Sequence, residues 1–225
     1  MKKIFLCIAL VLFSVQSPAY AINWPAPIIP QETSKVTADD GQIKANWHHF
    51  YKKYFNIDID VSNITIPLPK SGFTRCIIII PGLSANSVVA KMREYFSVSM
   101  YREYEEDLDK TITHNDRTAK NGAYAIWVKD GVEPENDYFN MSAEDVAKKN
   151  ITGETCLERL IHGFEYWDKT GKHLDYDNIT VCSGSRTSAG TVPWVHLRYD
   201  QSAVEIWWCY GNESDHGILV REVSF

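Results

Sequence analysis

The sequence predicts an α+β protein in which helices lie over a small mixed sheet and an antiparallel β-meander ends the chain. Three observations support this prediction. Apolar residues recur at helical spacing in two stretches before residue 178. Between these stretches, residues 75–80 form a short β-branched run that predicts a buried strand. From residue 178 onward the pattern changes to period two, with turns between the apolar runs. Because the chain shows no internal repeat and no low-complexity tract, a single α+β domain is the simplest architecture.

The best-defined helix covers residues 155–170. Thr155 and Glu158 have the spacing of a capping box, and Gly171 provides a natural stop. His162 lies off the apolar stripe of this helix, so we expect it to be partly exposed. The buried face is predicted to consist of Leu157, Leu160, Ile161, Phe164 and Trp167.

Shorter elements are predicted in the first part of the chain. An aromatic stripe predicts a helix over residues 46–55. Alternating apolar residues predict a strand over residues 57–61. We expect Ser84 or Asn86 to cap the helix that follows the buried strand, and Ser142 to cap a short helix further on.

The C-terminal part contains a predicted β-hairpin. Two of its strand candidates are joined by a polar turn, and the simplest register places His196 opposite Glu205 and Trp194 opposite Trp207. The strand candidates of this part cover residues 179–182, 192–198, 203–210 and 218–225.

The two faces of this hairpin differ in chemistry. One face is almost wholly apolar and is expected to be core. The other mixes aromatic, cationic and acidic side chains, as contact surfaces do, and tryptophan is a common anchor in binding. The alternative is that a helix covers this face and makes it a second core surface. The predicted binding residues are Trp194, His196, Arg198, Glu205 and Trp207, with Asn212 and Asp215 at the edge.

The N-terminus has the pattern of a secretory signal peptide. Two lysines precede an apolar run over residues 4–15, and Ala19 and Ala21 fit the small-x-small cleavage pattern. We therefore expect residues 1–21 to be removed and the protein to be exported to the periplasm or the extracellular space.

The mature chain is predicted to have a leader and one domain. Residues 22–41 begin with several prolines and predict an extended leader. Residues 42–225 predict a single α+β domain whose C-terminal β unit spans 178–225. No segment after the signal peptide is long and apolar enough to predict a membrane span. A third hypothesis for function follows from the leader, which would serve as a docking strand in a pilus or secretion assembly.

Export changes the expectation for the cysteines. An even number of cysteines in an oxidising compartment predicts two disulfides. We favour Cys182 with Cys209, because both lie in strand-like segments of one β unit, which leaves Cys76 with Cys156. Four buried free thiols are the alternative. The chain has no Cys-x-x-Cys, so neither a zinc knuckle nor a thioredoxin-type redox pair is predicted.

Composition and motifs exclude several classes of protein. A net charge of −6 argues against a protein that coats nucleic acid. The seven histidines show no His-Glu-x-x-His or other ligand spacing, so no metal site is predicted and no cofactor either. Asn212, Glu213 and Asp215 offer oxygen ligands for Ca²⁺, although three such side chains in a turn are more often only part of the turn. His114 with Asp116 has the composition of an oriented general base, but also of an ordinary polar loop.

A second class of function is a small secreted or periplasmic hydrolase. Ser183 or Ser185 would be its nucleophile, with His196 as base and Glu205 as the acid that orients it. The strand, Pro-Gly-Leu-Ser turn and helix over residues 77–87 resemble the oxyanion-hole segment of α/β-hydrolases. That resemblance implies that backbone N–H groups in the turn would hold a developing negative charge.

Residues 174–225 resemble the C-terminal part of the C-type-lectin-fold variable proteins of diversity-generating retroelements. The shared motifs are Cys-Ser-Gly-Ser-Arg at 182–186, Val-Pro-Trp-Val at 192–195, Trp-Trp-Cys-Tyr at 207–210 and Leu-Val-Arg at 219–221. The glycine-rich stretch that precedes a tryptophan in that family is missing here. The resemblance implies a C-type-lectin-like scaffold that displays aromatic and polar side chains to a partner. The leading hypothesis is therefore an exported binding protein for a protein or glycan.

Overall fold

The described part of the chain folds as the predicted α+β class. The structure is a computed structural model that describes residues 40–100, 107–214 and 217–225. The predicted signal peptide, and the predicted leader up to residue 39, lie outside the described residues. None of the described helices is long and apolar enough to cross a membrane.

The helices are α1 Asp40–Phe55, α2 Ala85–Met92, α3 Leu108–Thr111, α4 Ala143–Lys148 and α5 Cys156–Thr170. The strands are β1 Arg75–Ile79, β2 Val98–Met100, β3 Ile112–Asn115, β4 Tyr124–Val128, β5 Ile179–Val181, β6 Ser185–Thr187, β7 Val192–Leu197, β8 Val204–Cys209, β9 Ile218–Val220 and β10 Val223–Ser224.

Helix α1 packs its aromatic face on strand β1. Trp47 Nε1 donates a hydrogen bond to the Cys76 carbonyl oxygen at 3.0 Å, and the Tyr51 hydroxyl donates to the Ile78 carbonyl oxygen. Because these bonds satisfy the polar ends of two large side chains, both rings can be buried. The helix begins at Asp40, earlier than the sequence predicts.

The predicted helix caps are confirmed. Thr155 and Glu158 form the capping box of α5, and Gly171 ends that helix with a left-handed φ of 68°. Ser84 caps α2 and Ser142 caps α4, each through its side-chain oxygen. These caps fix where α2 and α5 begin, and both N-termini line one cavity.

A five-stranded mixed sheet carries the C-terminal β unit. Its strand order is β2-β8-β7-β5-β9. The antiparallel series β5-β7-β8 is as predicted. The last strand does not continue the meander, because β9 lies parallel to β5 at the far edge and β2 lies parallel to β8 at the other edge. Strand β10 joins β4 and β1 in a separate antiparallel sheet, and β3 pairs with β6.

Both faces of the five-stranded sheet are covered, but unequally. One face carries Val195 and Ile206 into the large core that α1, α2 and α5 also line. The other face packs on a smaller cluster that includes Met141 and Val146, around α4. Trp194 packs against this smaller cluster and is only partly buried. The hypothesis that a helix covers the second face is therefore right for one end of it.

The predicted disulfides are not present, since all four described cysteines are buried free thiols. The Cys182 N–H donates to the Pro193 carbonyl oxygen, and Cys209 lies opposite Val192 on the next strand. Strand β7 thus separates Cys182 from Cys209. Two strand spacings are about 9.5 Å, whereas bridged cysteines have Cα atoms less than about 7 Å apart. The Cys182 thiol instead contacts Cys156. The prediction from the sequence pairs Cys156 with Cys76.

Two further expectations are wrong. Residues 57–61 form no strand and follow α1 as an irregular segment, with partly buried apolar side chains packed on the core. His162 is fully buried, not partly exposed. Its Nδ1 lies 2.8 Å from Oε1 of Glu154, which is also fully buried, so a polar pair occupies a position that periodicity alone assigns to solvent.

Candidate functional site

The predicted hairpin has the predicted register. Trp194 pairs with Trp207 and His196 with Glu205 across strands β7 and β8. The two indoles are stacked, with ring centroids 5.6 Å apart and planes 25° apart. Cross-strand aromatic pairs of this kind stabilise a hairpin and hold both rings in one orientation.

The polar residues of this face form a small network around Glu205. His196 Nε2 lies 3.1 Å from Glu205 Oε2, and Ser99 Oγ donates to Glu205 Oε1 at 3.4 Å. Arg198 Nη1 lies 3.9 Å from the same oxygen and has an exposed side chain. His196 and Glu205 are mostly buried, with 7% and 15% of their side chains exposed. The network therefore holds one carboxylate in place and leaves one guanidinium in solvent.

An aromatic row continues along the hairpin. The Trp194 ring lies 5.2 Å from the His196 ring, which lies 6.0 Å from Tyr199. Tyr199 is 80% exposed, whereas Trp194 and Trp207 are half-buried. We call the hairpin face the surface formed by Trp194, His196, Arg198, Tyr199, Glu205 and Trp207. Asn212 is exposed beyond its end, and Asp215 lies outside the described residues.

The structure does not assemble the predicted serine site. Ser185 is fully buried, where its Oγ donates to Asn115 and accepts from the Cys156 N–H. Since β5 pairs with β7, Ser183 lies level with the start of β7, four residues from His196. That offset is about 13 Å along the strand. Neither serine can therefore give its proton to His196 in this arrangement.

A cavity lies elsewhere, between the N-termini of α2 and α5. It has a volume of about 550 Å³, and His114, Arg117 and Lys120 line it. The turn after β1, with Gly82 at a φ of 83°, forms another wall. Asp109 accepts hydrogen bonds from the Ala85 and Asn86 N–H groups, so a carboxylate of the chain already occupies the start of α2.

A second cavity of about 420 Å³ adjoins the first, and His114 lines both. Asp116, Ser183 and Arg186 line the second cavity, and His114 Nε2 lies 3.2 Å from Asp116 Oδ1. Gly153 makes room for Ser183, because a Cβ on Gly153 would lie 1.9 Å from Ser183 Oγ. The sequence indicated the His114–Asp116 pair and Ser183 separately, but it gave no signal that Arg186 lies beside them.

A deeply buried ionic network underlies the site. Asp175 Oδ1 accepts from Arg221 at 2.6 Å, and Oδ2 accepts from Arg159 at 2.6 and 3.2 Å. The two guanidinium groups hold the pKa of Asp175 below its usual range, although burial alone would raise it. Burial raises the pKa of Glu154 to about 7. These groups stiffen the connection between α5 and the sheet and do not reach solvent.

No protein-family model matches this chain, and no curated protein or solved structure matches it either. Among the described residues, no group of three or more His, Cys, Asp and Glu side chains is arranged to hold a metal ion. The C-type-lectin resemblance of residues 174–225 stays a prediction.

Proposed function

We propose that this protein is exported and binds a glycan through the hairpin face. The observation that carries the proposal is the stacked Trp194–Trp207 pair, in which both indoles are partly exposed. Indoles supply a large apolar area with few rotatable bonds, so little conformational entropy is lost when a ligand orders them.

The polar groups around the indoles favour a sugar as the ligand. A pyranose ring has an apolar C–H face that packs on an aromatic ring, and hydroxyl groups at its rim that need hydrogen-bond partners. Glu205 is an acceptor held in place by His196 and Ser99, and Arg198 is an exposed donor next to it. The row from Tyr199 to Trp207 extends along the hairpin, which suits a linear chain of several sugar units.

The proposal is tested by co-sedimentation of the full chain with insoluble peptidoglycan, chitin and cellulose. Wild-type protein should bind at least one of them, and Trp194→Ala with Trp207→Ala should weaken that binding at least tenfold. The matched control is Tyr95→Ala. It removes an aromatic ring that is 47% exposed and lies three residues after the end of α2.

Two milder variants keep the test decisive if the double tryptophan variant unfolds. Arg198→Ala removes a donor, and Glu205→Gln removes the charge and replaces one acceptor oxygen with a donor. Neither opens the core, so we expect native-like circular dichroism and weaker glycan binding. The glycan proposal is wrong if wild-type protein binds none of the three polysaccharides. It is also wrong if all of these variants bind as the wild type does.

A further inference from the structure

Arg186 is a partly buried cation without a carboxylate partner. Its Nη1 donates to the carbonyl oxygens of Ser183 and Ser185, at 2.6 and 2.8 Å. Within residues 40–100, 107–214 and 217–225, no carboxylate lies within ion-pairing distance of it. Burial lowers the pKa of the Arg186 guanidinium, and the more distant charges of Asp116 and Glu144 oppose this shift only in part.

The other well-buried arginines of the described chain are all neutralised. Each one has a carboxylate oxygen at 2.6 Å, as the cost of burying a charge requires. These pairs are Arg75–Glu165, Arg117–Glu158, Arg159–Asp175 and Arg221–Asp175. Arg186 departs from this pattern, since Asp116 and Glu144 act on it only from beyond ion-pairing distance.

The surroundings of Arg186 form a cavity with further polar groups. The cavity of about 420 Å³ is lined by Arg186, Ser183 and His114. Ser183 is 93% buried, with 7% of its surface exposed, and its Oγ has no hydrogen-bond partner among the described residues. Asp116, on the same wall, is engaged with His114 at 3.2 Å. Residues that carry a hydroxyl, a guanidinium and an imidazole therefore line one space, with the Ser183 Oγ lying against Gly153.

We propose that this cavity binds the oxyanion group, carboxylate or phosphate, of a small ligand. Arg186 would supply the charge through its Nε and Nη2 groups, since Nη1 is already used by backbone carbonyls. Ser183 would donate its hydroxyl hydrogen to the same group, which requires its side chain to rotate away from Gly153. None of the hairpin-face residues lines this cavity.

Calorimetric titration of the full chain with inorganic phosphate, and separately with acetate, tests this site. One of the two should bind saturably at constant ionic strength, and the comparison shows which oxyanion is preferred. Arg186→Gln should weaken that binding about tenfold or more, because a hydrogen bond to a charged group is lost. Arg198→Gln, which removes an exposed arginine on the hairpin face, should leave it unchanged.

A second variant keeps the result clear if Arg186→Gln disturbs the fold. Ser183→Ala removes a hydroxyl that makes no bond in the described chain, so the variant should fold normally and bind the anion several-fold more weakly. The proposal is overturned if neither anion binds saturably. It is also overturned if Arg186→Gln, when folded, and Ser183→Ala both bind the anion as the wild type does.

Discussion

Replacing Asp175 with asparagine should cost this protein much of its folding free energy. Asp175 is fully buried and accepts from both Arg159 and Arg221. Its backbone has a left-handed φ of 62°, which asparagine tolerates as well as aspartate does. The substitution therefore removes the charge without adding backbone strain.

The expected loss follows from the bonds that change. Asparagine keeps one oxygen for one arginine and presents an N–H donor to the other. If Arg159 is the arginine left without an acceptor, the bonds at 2.6 and 3.2 Å are lost. Breaking a buried ion pair on one side costs about 3–5 kcal/mol. For a domain of this size, a loss of that order lowers Tm by about 10 °C.

Urea and thermal unfolding of Asp175→Asn measure this loss directly. The matched control is Asp58→Asn, which breaks ion pairs with His48 and Lys52 on a side chain that is 70% exposed. Solvent screens those charges, so the control should leave both midpoints nearly unchanged. The reasoning fails if Asp175→Asn unfolds within about 1 kcal/mol of the wild type.

Two other outcomes are expected. Burial raises the pKa of Glu154 from 4.5 to about 7, so the folded chain keeps a proton that the unfolded chain loses in that window. Glu154 should therefore contribute a loss of about 3 kcal/mol of stability as pH rises through the window. Burial lowers the pKa of His162 well below 6.5, which contributes in the opposite sense, so the Glu154 contribution is measured as the difference between the wild type and Glu154→Gln in urea unfolding at pH 5 and pH 8. In a glutathione refolding buffer, we expect Cys156 to pair with Cys182, because their thiols are in contact. A non-reducing peptide map that shows Cys182 linked to Cys209 would contradict this expectation.

The hairpin could be predicted from the sequence because its signals are local. Alternation in strands β7 and β8 and the polar turn between them fix which residues face each other, and His196 does lie opposite Glu205. The caps of α2 and α5 are local in the same sense. Each needs only a side chain and a backbone N–H three residues away.

The non-local parts could not be predicted from pattern alone. Nothing within β9 indicates that it pairs with β5, because parallel partners are chosen by the path of the whole chain. Residues 57–61 alternate as a strand does, yet no strand of the described chain pairs with them.

The burial and the neighbours of the polar groups of the site could not be predicted from the sequence for a related reason. Helical periodicity assigns His162 to solvent, whereas Glu154 from another segment makes its burial tolerable. Arg186 and His114 are 72 positions apart in the sequence numbering and meet only through the pairing of β3 with β6.

Hydroxyl-radical footprinting of the full chain, with and without the polysaccharide that it binds in co-sedimentation, tests the proposed glycan contact most directly. Oxidation reports how much of each aromatic ring is open to solvent. If the hairpin face contacts the glycan, Trp194, Trp207 and Tyr199 should be oxidised less in the complex, while Tyr95 should be oxidised equally in both samples. Unchanged oxidation of the three hairpin rings in a saturated complex would contradict the account.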